Sequence, residues 1–388
     1  MVHAYGLSPS AEENVAAASR ISNEVLSQHA AEVDTQGRFP TEGMKALADA
    51  GFYGLCITKE AGGKGEGMRA FAGVVEELAA TCASTAMIYV MHVSAAQAIA
   101  SSTILGERDS ILKEIAAGKH LTTLAFSESG SRSQFWIPIS KLEERDGHYV
   151  TSASKSWVTS AGHANSYVST AQKPNASSPL ESTVYLVRSK ADGVRVTSAF
   201  NGLGLRGNDS APVSLDQIVV QKTDLISALG EGPQIILEVV LPWFAIGTAA
   251  MAHGICRAAV GRTTEHLVST GFAHDGAKLR DLPNLRARLA EMSVRTEQSR
   301  SLLGQTLDQI ESPSEVTPLF VLQSRLAALQ AAVDVTDLAM KACGGAAFSR
   351  HLGIERLFRD ARAGWVMAPT VDHLNDFIGR ALTGLPLF

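Results

Sequence analysis

"KSWVTSAGHANSYV", residues 155–168, sets one large aromatic residue, Trp157, among small hydroxyl side chains and runs into Gly162. In an extended chain side chains alternate, so Ser156, Val158 and Ser160 share one side while Trp157 and Thr159 share the other. A buried core strand prefers Val or Ile on its inward face. A face built from Trp and Thr asks instead for a flat, partly polar neighbour.

Around this stretch the chain has β texture. "LTTLAFSES", "ISKLEERDGHYVTSASKSWVTS", "SYVSTAQK", "STVYLVRS" and "VRVTSAF" are short, rich in β-branched and aromatic residues, and broken by turn signals such as Asp146-Gly147. They predict a small β domain over residues 121–230. The preceding residues 1–120 read as helical. "AEENVAAASRISNEVLSQHAAEVD" repeats apolar residues every three to four positions, and a longer apolar helical region surrounds Cys82–Ser84. Helical patterns return over 231–388, enough for four long helices in a bundle, with Pro242, Gly304 and Pro369 interrupting or bounding them. The fold class predicted is therefore α+β, mostly α.

Bulk properties narrow the function. The 388 residues are 45% hydrophobic and 19% charged, with a net charge of −5 and no block of like charges. That composition builds a sizeable core and offers neither a nucleic-acid-binding surface nor a polybasic membrane contact. Cys56, Cys82, Cys256 and Cys343 are scattered, which argues against a zinc or disulfide framework. The first residues lack a basic segment followed by an apolar one, so a cytoplasmic location is expected. Residues 239–256 carry no formal charge, a length at the lower edge of a membrane span. The glycines, Pro242 and His253 within them favour a buried bundle helix, and no membrane span is expected.

Five strings, in order, resemble the acyl-CoA dehydrogenase superfamily over nearly the whole chain. "LAFSESGSRSQF" (124–135) resembles the flavin-loop motif T-E-P-x-A-G-S-D, and 155–168 resembles K-x-W-I-T-N-G-x-x-A-N. "GLGLRGNDSAPVSLDQIVV" (202–220), "GGAAFSRHLGIERLFRDAR" (344–362) and "APTVD" (368–372) look like three further family strings. The resemblance implies an N-terminal helical domain, a middle β-barrel-like domain and a C-terminal four-helix bundle, assembled as a homotetramer or homodimer. It implies FAD between the β domain and the bundle, with Trp157 against the flavin ring and Thr159 near its N5 edge. An aromatic wall suits a planar cofactor and hydroxyls suit its heteroatom edge. By the same resemblance Phe126 and Ser127 contact the pyrimidine side and Ser133 a phosphate or the substrate carrier. Gly344 and Gly345 lie under the cofactor of a neighbouring subunit, and Thr370 and Asp372 are polar cofactor contacts. Arg359-Asp360 reads as a structural ion pair.

The chain departs from that pattern at the base. Members of the family abstract a proton α to a thioester with a glutamate, while hydride leaves for flavin N5. At the two positions that carry it this chain has Ala368 and, on the first bundle helix, Phe244 followed by Ala245. An arginine that reaches the cofactor pyrophosphate in the family aligns with Phe272, and Arg132 replaces a small residue of the flavin loop. Two enzymatic readings follow. The protein acts on the CH–CH group of a small acyl thioester, exchanging electrons with an electron-transfer flavoprotein and drawing a proton carrier from His92, His253, Asp372, His373 or Asp376. Alternatively it is a two-component monooxygenase, taking reduced flavin (FAD or FMN) from a flavin reductase, with O2 as co-substrate and His92 lining the substrate cavity. In either enzymatic reading His92, Phe244, Met367 and Ala368 are pocket residues beside a small or flat substrate. A non-catalytic flavin-binding homologue is the third reading.

Overall fold

A computed structural model describes residues 3–387. Six helices come first: α1 (Pro9–Ile21), α2 (Ser27–Gln36), α3 (Thr41–Asp49), α4 (Met68–Thr81), α5 (Ala83–Ser101) and α6 (Arg108–Ala116). Seven strands follow: β1 (Thr122–Ala125), β2 (Glu143–Arg145), β3 (His148–Val158), β4 (Ser166–Gln172), β5 (Ser182–Arg188), β6 (Val194–Val196) and β7 (Ala211–Val220). The remaining helices are α7 (Gly232–Ser269), α8 (Pro283–Glu311), α9 (Thr317–Cys343), α10 (Ile354–Val366) and α11 (Val371–Thr383).

The strands form two open sheets, ordered β1-β4-β5 and β2-β3-β7-β6, that pack together as the middle β domain without closing into a ring. Only β1 and β4 are parallel; the other pairs are antiparallel. The sheets stack through Tyr167, Ala171, Tyr185 and Val187 on one and Tyr149, Val213, Leu215 and Ile218 on the other, a core of their own. The β2–β3 turn is made by Asp146 and Gly147, both at positive φ, as the Asp-Gly signal requires.

The two helical segments share one hydrophobic core that runs from Tyr5 to Phe377. Helices α4 and α5 lie against α7, and the α4–α7 crossing is close because Gly254 faces the backbone of Glu76; a Cβ there would strike that carbonyl oxygen. Helices α5 and α7 are both long and apolar enough to cross a membrane. Both pack into this core, and every residue of α7 from Phe244 to Cys256 is buried.

Two features shape the bundle. Pro242 lies in the first turn of the regular α-helical part of α7, Leu241–Ser269, directly after the π-helical stretch Ile235–Val240, so it bounds the regular helix without ending α7. The fourth bundle position is shared by two 13-residue helices, α10 and α11, both packed on α9. Pro369 lies in the break between them, where its fixed φ and absent N–H suit a helix end.

Candidate active site

Lys155, which opens the signature stretch, is wholly buried and ion-paired to Glu128 at 2.7 Å. Glu128 Oε1 also accepts from Ser140 Oγ, and Oε2 accepts from the N–H groups of Ile139 and Ser140, both at 2.8 Å. Burial alone would raise the Glu128 pKa, but Lys155 and these donors outweigh it and hold the carboxyl below its ordinary value. The pair pins the 127–140 loop to β3.

Just beyond Lys155 the β3–β7 register slips, and Trp157 takes φ +57°. This bulge turns the indole out of the sheet, leaving it 69% exposed with Phe200 edge-on at 6.5 Å. It also breaks the simple alternation: Ser156 joins Trp157 and Thr159 on one cavity wall instead of facing away. Thr159 is buried and shares a 2.9 Å hydrogen bond with the Ser210 hydroxyl.

That cavity, of about 740 Å³, lies between the middle sheets and the bundle. Its inner end is apolar and buried, formed by Met87, Leu124, Phe126, Phe135, Val240 and Phe244. Its mouth carries exposed residues, among them Ser129, Arg132, Leu203 and Val366. Gly204 lines it where the 202–205 loop runs so close to α10 that a Cβ would meet the Arg359 carbonyl. Behind Phe244 stands Arg325, fully buried, its guanidinium 5.0 Å from the ring centroid. It donates to Thr248 Oγ1 (3.1 Å), Pro369 O (2.7 Å) and Met367 O (3.2 Å), and burial pushes its pKa down to about 9.

The structure brings together Phe126, Ser127, Ser133, Trp157, Thr159, Phe244, Met367 and Ala368 on this one cavity. It separates the rest. His92 is buried outside the lining; its Nε2 meets Tyr53 O and its Nδ1 accepts from Thr122 N–H, both at 3.2 Å. With both nitrogens committed to backbone and its pKa lowered to about 4 by burial, it clips α5 to β1 and is corrected from catalytic to core. His253 is likewise a core residue, bonded to Tyr5 and Ser299. Asp372 is exposed in the first turn of α11, and Thr370 is that helix's N-cap. His373 packs edge-on to Trp136 at 5.8 Å, away from the lining, and Asp376 bonds Arg380. Gly344, at φ +54°, ends α9, and beside it Gly345 also faces open space.

Arg359 and Asp360 do not pair with each other. Arg359 binds Asp34 and Glu355 and donates to Leu203 O, while buried Asp360 accepts from Leu205 N–H at 2.7 Å. Both tether the 203–205 loop to α10. Sequence reasoning missed Ser210, Phe200, Met87 and Arg362 on the cavity; Phe200, Ser210 and Arg362 fall inside strings already quoted, and Met87 does not.

The exposed indole, the buried polar pair Thr159–Ser210 and the apolar inner end fit a planar cofactor with a heteroatom edge. Family models match three consecutive stretches: acyl-CoA dehydrogenase N-terminal domain over residues 8–119, middle domain over 123–218 and C-terminal domain over 230–383. A short-chain specific acyl-CoA dehydrogenase of Clostridium acetobutylicum is 27% identical over 86% of this chain and 87% of its own. An acryloyl-CoA reductase (NADH) of Anaerotignum propionicum is 25% identical over 86% of this chain and 84% of its own. The solved butyryl-CoA dehydrogenase of Megasphaera elsdenii superposes with a TM-score of 0.91 at 20% identity, covering 97% of this chain and 99% of that one.

Proposed function

The chain belongs to the acyl-CoA dehydrogenase family, and on that premise we propose that it is an FAD-dependent oxidoreductase acting on a small acyl thioester. The observation that carries this is Trp157, a large aromatic held at strained φ and left exposed on the wall of a 740 Å³ cavity. The bound flavin supplies a site that accepts or gives hydride. Trp157 and Phe126 offer it flat and apolar surface, and the Thr159–Ser210 hydroxyl pair offers hydrogen bonds to its edge. The inner end, narrowed by Met87, Phe244 and Met367, suits a short or flat acyl group.

The proton is the distinguishing point. Among the described residues lining the cavity the one carboxylate is Glu128, whose two oxygens already accept four hydrogen bonds, and there is no imidazole. The α-carbon proton therefore exchanges with water. Water protonates a thioester enolate readily but is a poor base toward the α C–H, so the site suits reduction of an α,β-unsaturated thioester better than dehydrogenation. The relatedness to an acryloyl-CoA reductase supports that direction. Electrons come from an electron-transfer flavoprotein or a flavin reductase in the cytoplasm. The exposed Phe348, Trp365, Val366 and Leu382 support assembly into a homotetramer or homodimer.

The test is anaerobic. The purified holoprotein is photoreduced and mixed with a panel of short and aryl enoyl-CoA thioesters. The expected result is return of the oxidised flavin spectrum with formation of the saturated thioester. Absence of reaction with every thioester contradicts the proposal. The same lack of a protein base favours a second reading, a monooxygenase using reduced FAD or FMN and O2. An oxygenated product, formed only when a reductase and air are supplied, would establish it.

A further inference from the structure

Lys155 and Arg325 are the wholly buried cations among the described residues, and their surroundings differ. Lys155 is neutralised by Glu128. Arg325, on α9, has no carboxylate partner among the described residues; it meets Thr248 Oγ1, Met367 O, Pro369 O and the Phe244 ring, all of them neutral. Burying an unpaired charge is costly, and a counter-charge is what offsets it. The geometry shows where one would sit. Arg325 lies outside the cavity lining, and Phe244, which is part of that lining, stands between it and the inner end. The walls there are apolar and buried, so little screens the guanidinium's field. The Met367 and Pro369 carbonyls bond Arg325 and so turn their negative ends away from the cavity. The guanidinium also offsets the negative face of the Phe244 ring. The arginines on the lining itself act less on this end: Arg359 is paired with Asp34 and Glu355, Arg362 is half-buried, and Arg132 is exposed at the mouth, where water screens it.

We propose that Arg325 is a positioning residue for the reaction: held behind Phe244, it stabilises the negative charge that forms on the thioester at the inner end of the cavity. This rests on the reading of the site as one that reduces an enoyl thioester. Hydride drawn from the reduced flavin adds to the β-carbon, and the alkene pair moves toward the thioester oxygen as an enolate, with the flavin left oxidised. The α-carbon then takes a proton from water, giving the saturated thioester and hydroxide. Arg325 favours the enolate alone, because the reacting carbons and carbonyl are neutral both before and after it. The absence of a glutamate leaves the charge free for this work: with Phe244, Ala245 and Ala368 where a carboxylate would stand, nothing on the protein neutralises the guanidinium.

The test uses the holoprotein and a short 3-ketoacyl thioester of coenzyme A, a ligand that ionises to an enolate. The pKa of the bound ligand is read by difference absorbance for wild type, Arg325→Lys, Arg325→Gln and Arg325→Met. Affinity for the saturated thioester, which stays uncharged at the same atoms, is measured alongside by calorimetry. Wild type is expected to hold the enolate about tenfold more tightly than the keto form, lowering the ligand's pKa by about one pH unit from its value in water. Arg325→Lys should keep most of that preference, and Arg325→Gln and Arg325→Met should lose it. A purely structural role would weaken both thioesters together and leave the bound pKa as in wild type, and that result overturns the proposal. So does wild-type protein that binds the 3-ketoacyl thioester without lowering its pKa, a measurement that needs no variant to fold. Wild-type protein that binds neither thioester overturns the function proposed above, and this role with it.

Discussion

At the scale of single residues, Trp157 and Glu128 do opposite jobs within one loop and strand. Trp157 contributes little to the fold, because its indole is mostly exposed. Trp157→Ala should leave the melting temperature nearly unchanged and weaken flavin binding about tenfold, the value of one aromatic contact. A large fall in stability measured by thermal melting, with flavin affinity intact, would show the residue to be core after all. Glu128 is structural. Glu128→Gln removes the charge partner of a wholly buried lysine and should cost about 3–5 kcal/mol in urea unfolding. Adding Lys155→Met should recover much of that, since the double variant no longer buries an unpaired cation; failure to recover would mean the packing around the pair, not its charge, matters.

At the scale of elements, the cavity is built from irregularities. The bulge in β3 aims Trp157, the π stretch lets α7 pass Pro242, and Arg325 fastens the Met367–Pro369 turn behind Phe244. Arg325→Ala leaves a void and two carbonyls without their donor, so it should destabilise by about 3 kcal/mol and raise KM for the thioester. Unaltered unfolding and kinetics would contradict that role. These same irregularities mark what the sequence makes legible. Helical and β textures are visible because apolar spacing at three to four residues and β-branched runs each follow from what one element must bury. The Asp146-Gly147 turn is visible because few residues accept positive φ. The bulge is not, since Trp157 itself takes a conformation that strict alternation forbids, and alternation alone therefore puts Ser156 on the wrong side. His92 sits on an apolar helix in either role; only its two backbone partners, remote in sequence, decide for the core. The middle strands do not close into a ring, because β1 pairs with β4 alone and the sheet edges stay unjoined.

At the scale of the whole molecule, one core joins both helical segments and a second fills the β unit, so the cavity lies where two separately packed bodies meet. Buried histidines tie the joined core together and make it acid-sensitive. His92 and His253 are each lowered to about 4 by burial. Such a group binds its proton less readily folded than unfolded, so its contribution is intact above the unfolded value near 6.5 and is lost as pH falls toward 4. Asp360, raised to about 6 by burial, acts the other way below that pH. Two groups against one leave stability falling as pH drops from 6 toward 4, and His120, also lowered by burial, adds to the fall. Urea titrations at pH 7, 5.5 and 4.5 should show it, and stability that stays flat or rises on acidification would contradict it.

The central claim is that the middle sheets and the bundle hold a flavin ring against Trp157. A crystal structure of the protein with FAD tests it most directly. The account predicts the flavin ring system beside the indole, ring centroids roughly 4.5–7 Å apart, with its polar edge toward Thr159 and Ser210. A ring bound elsewhere, or a cavity closed by side chains when FAD is saturating, would contradict it.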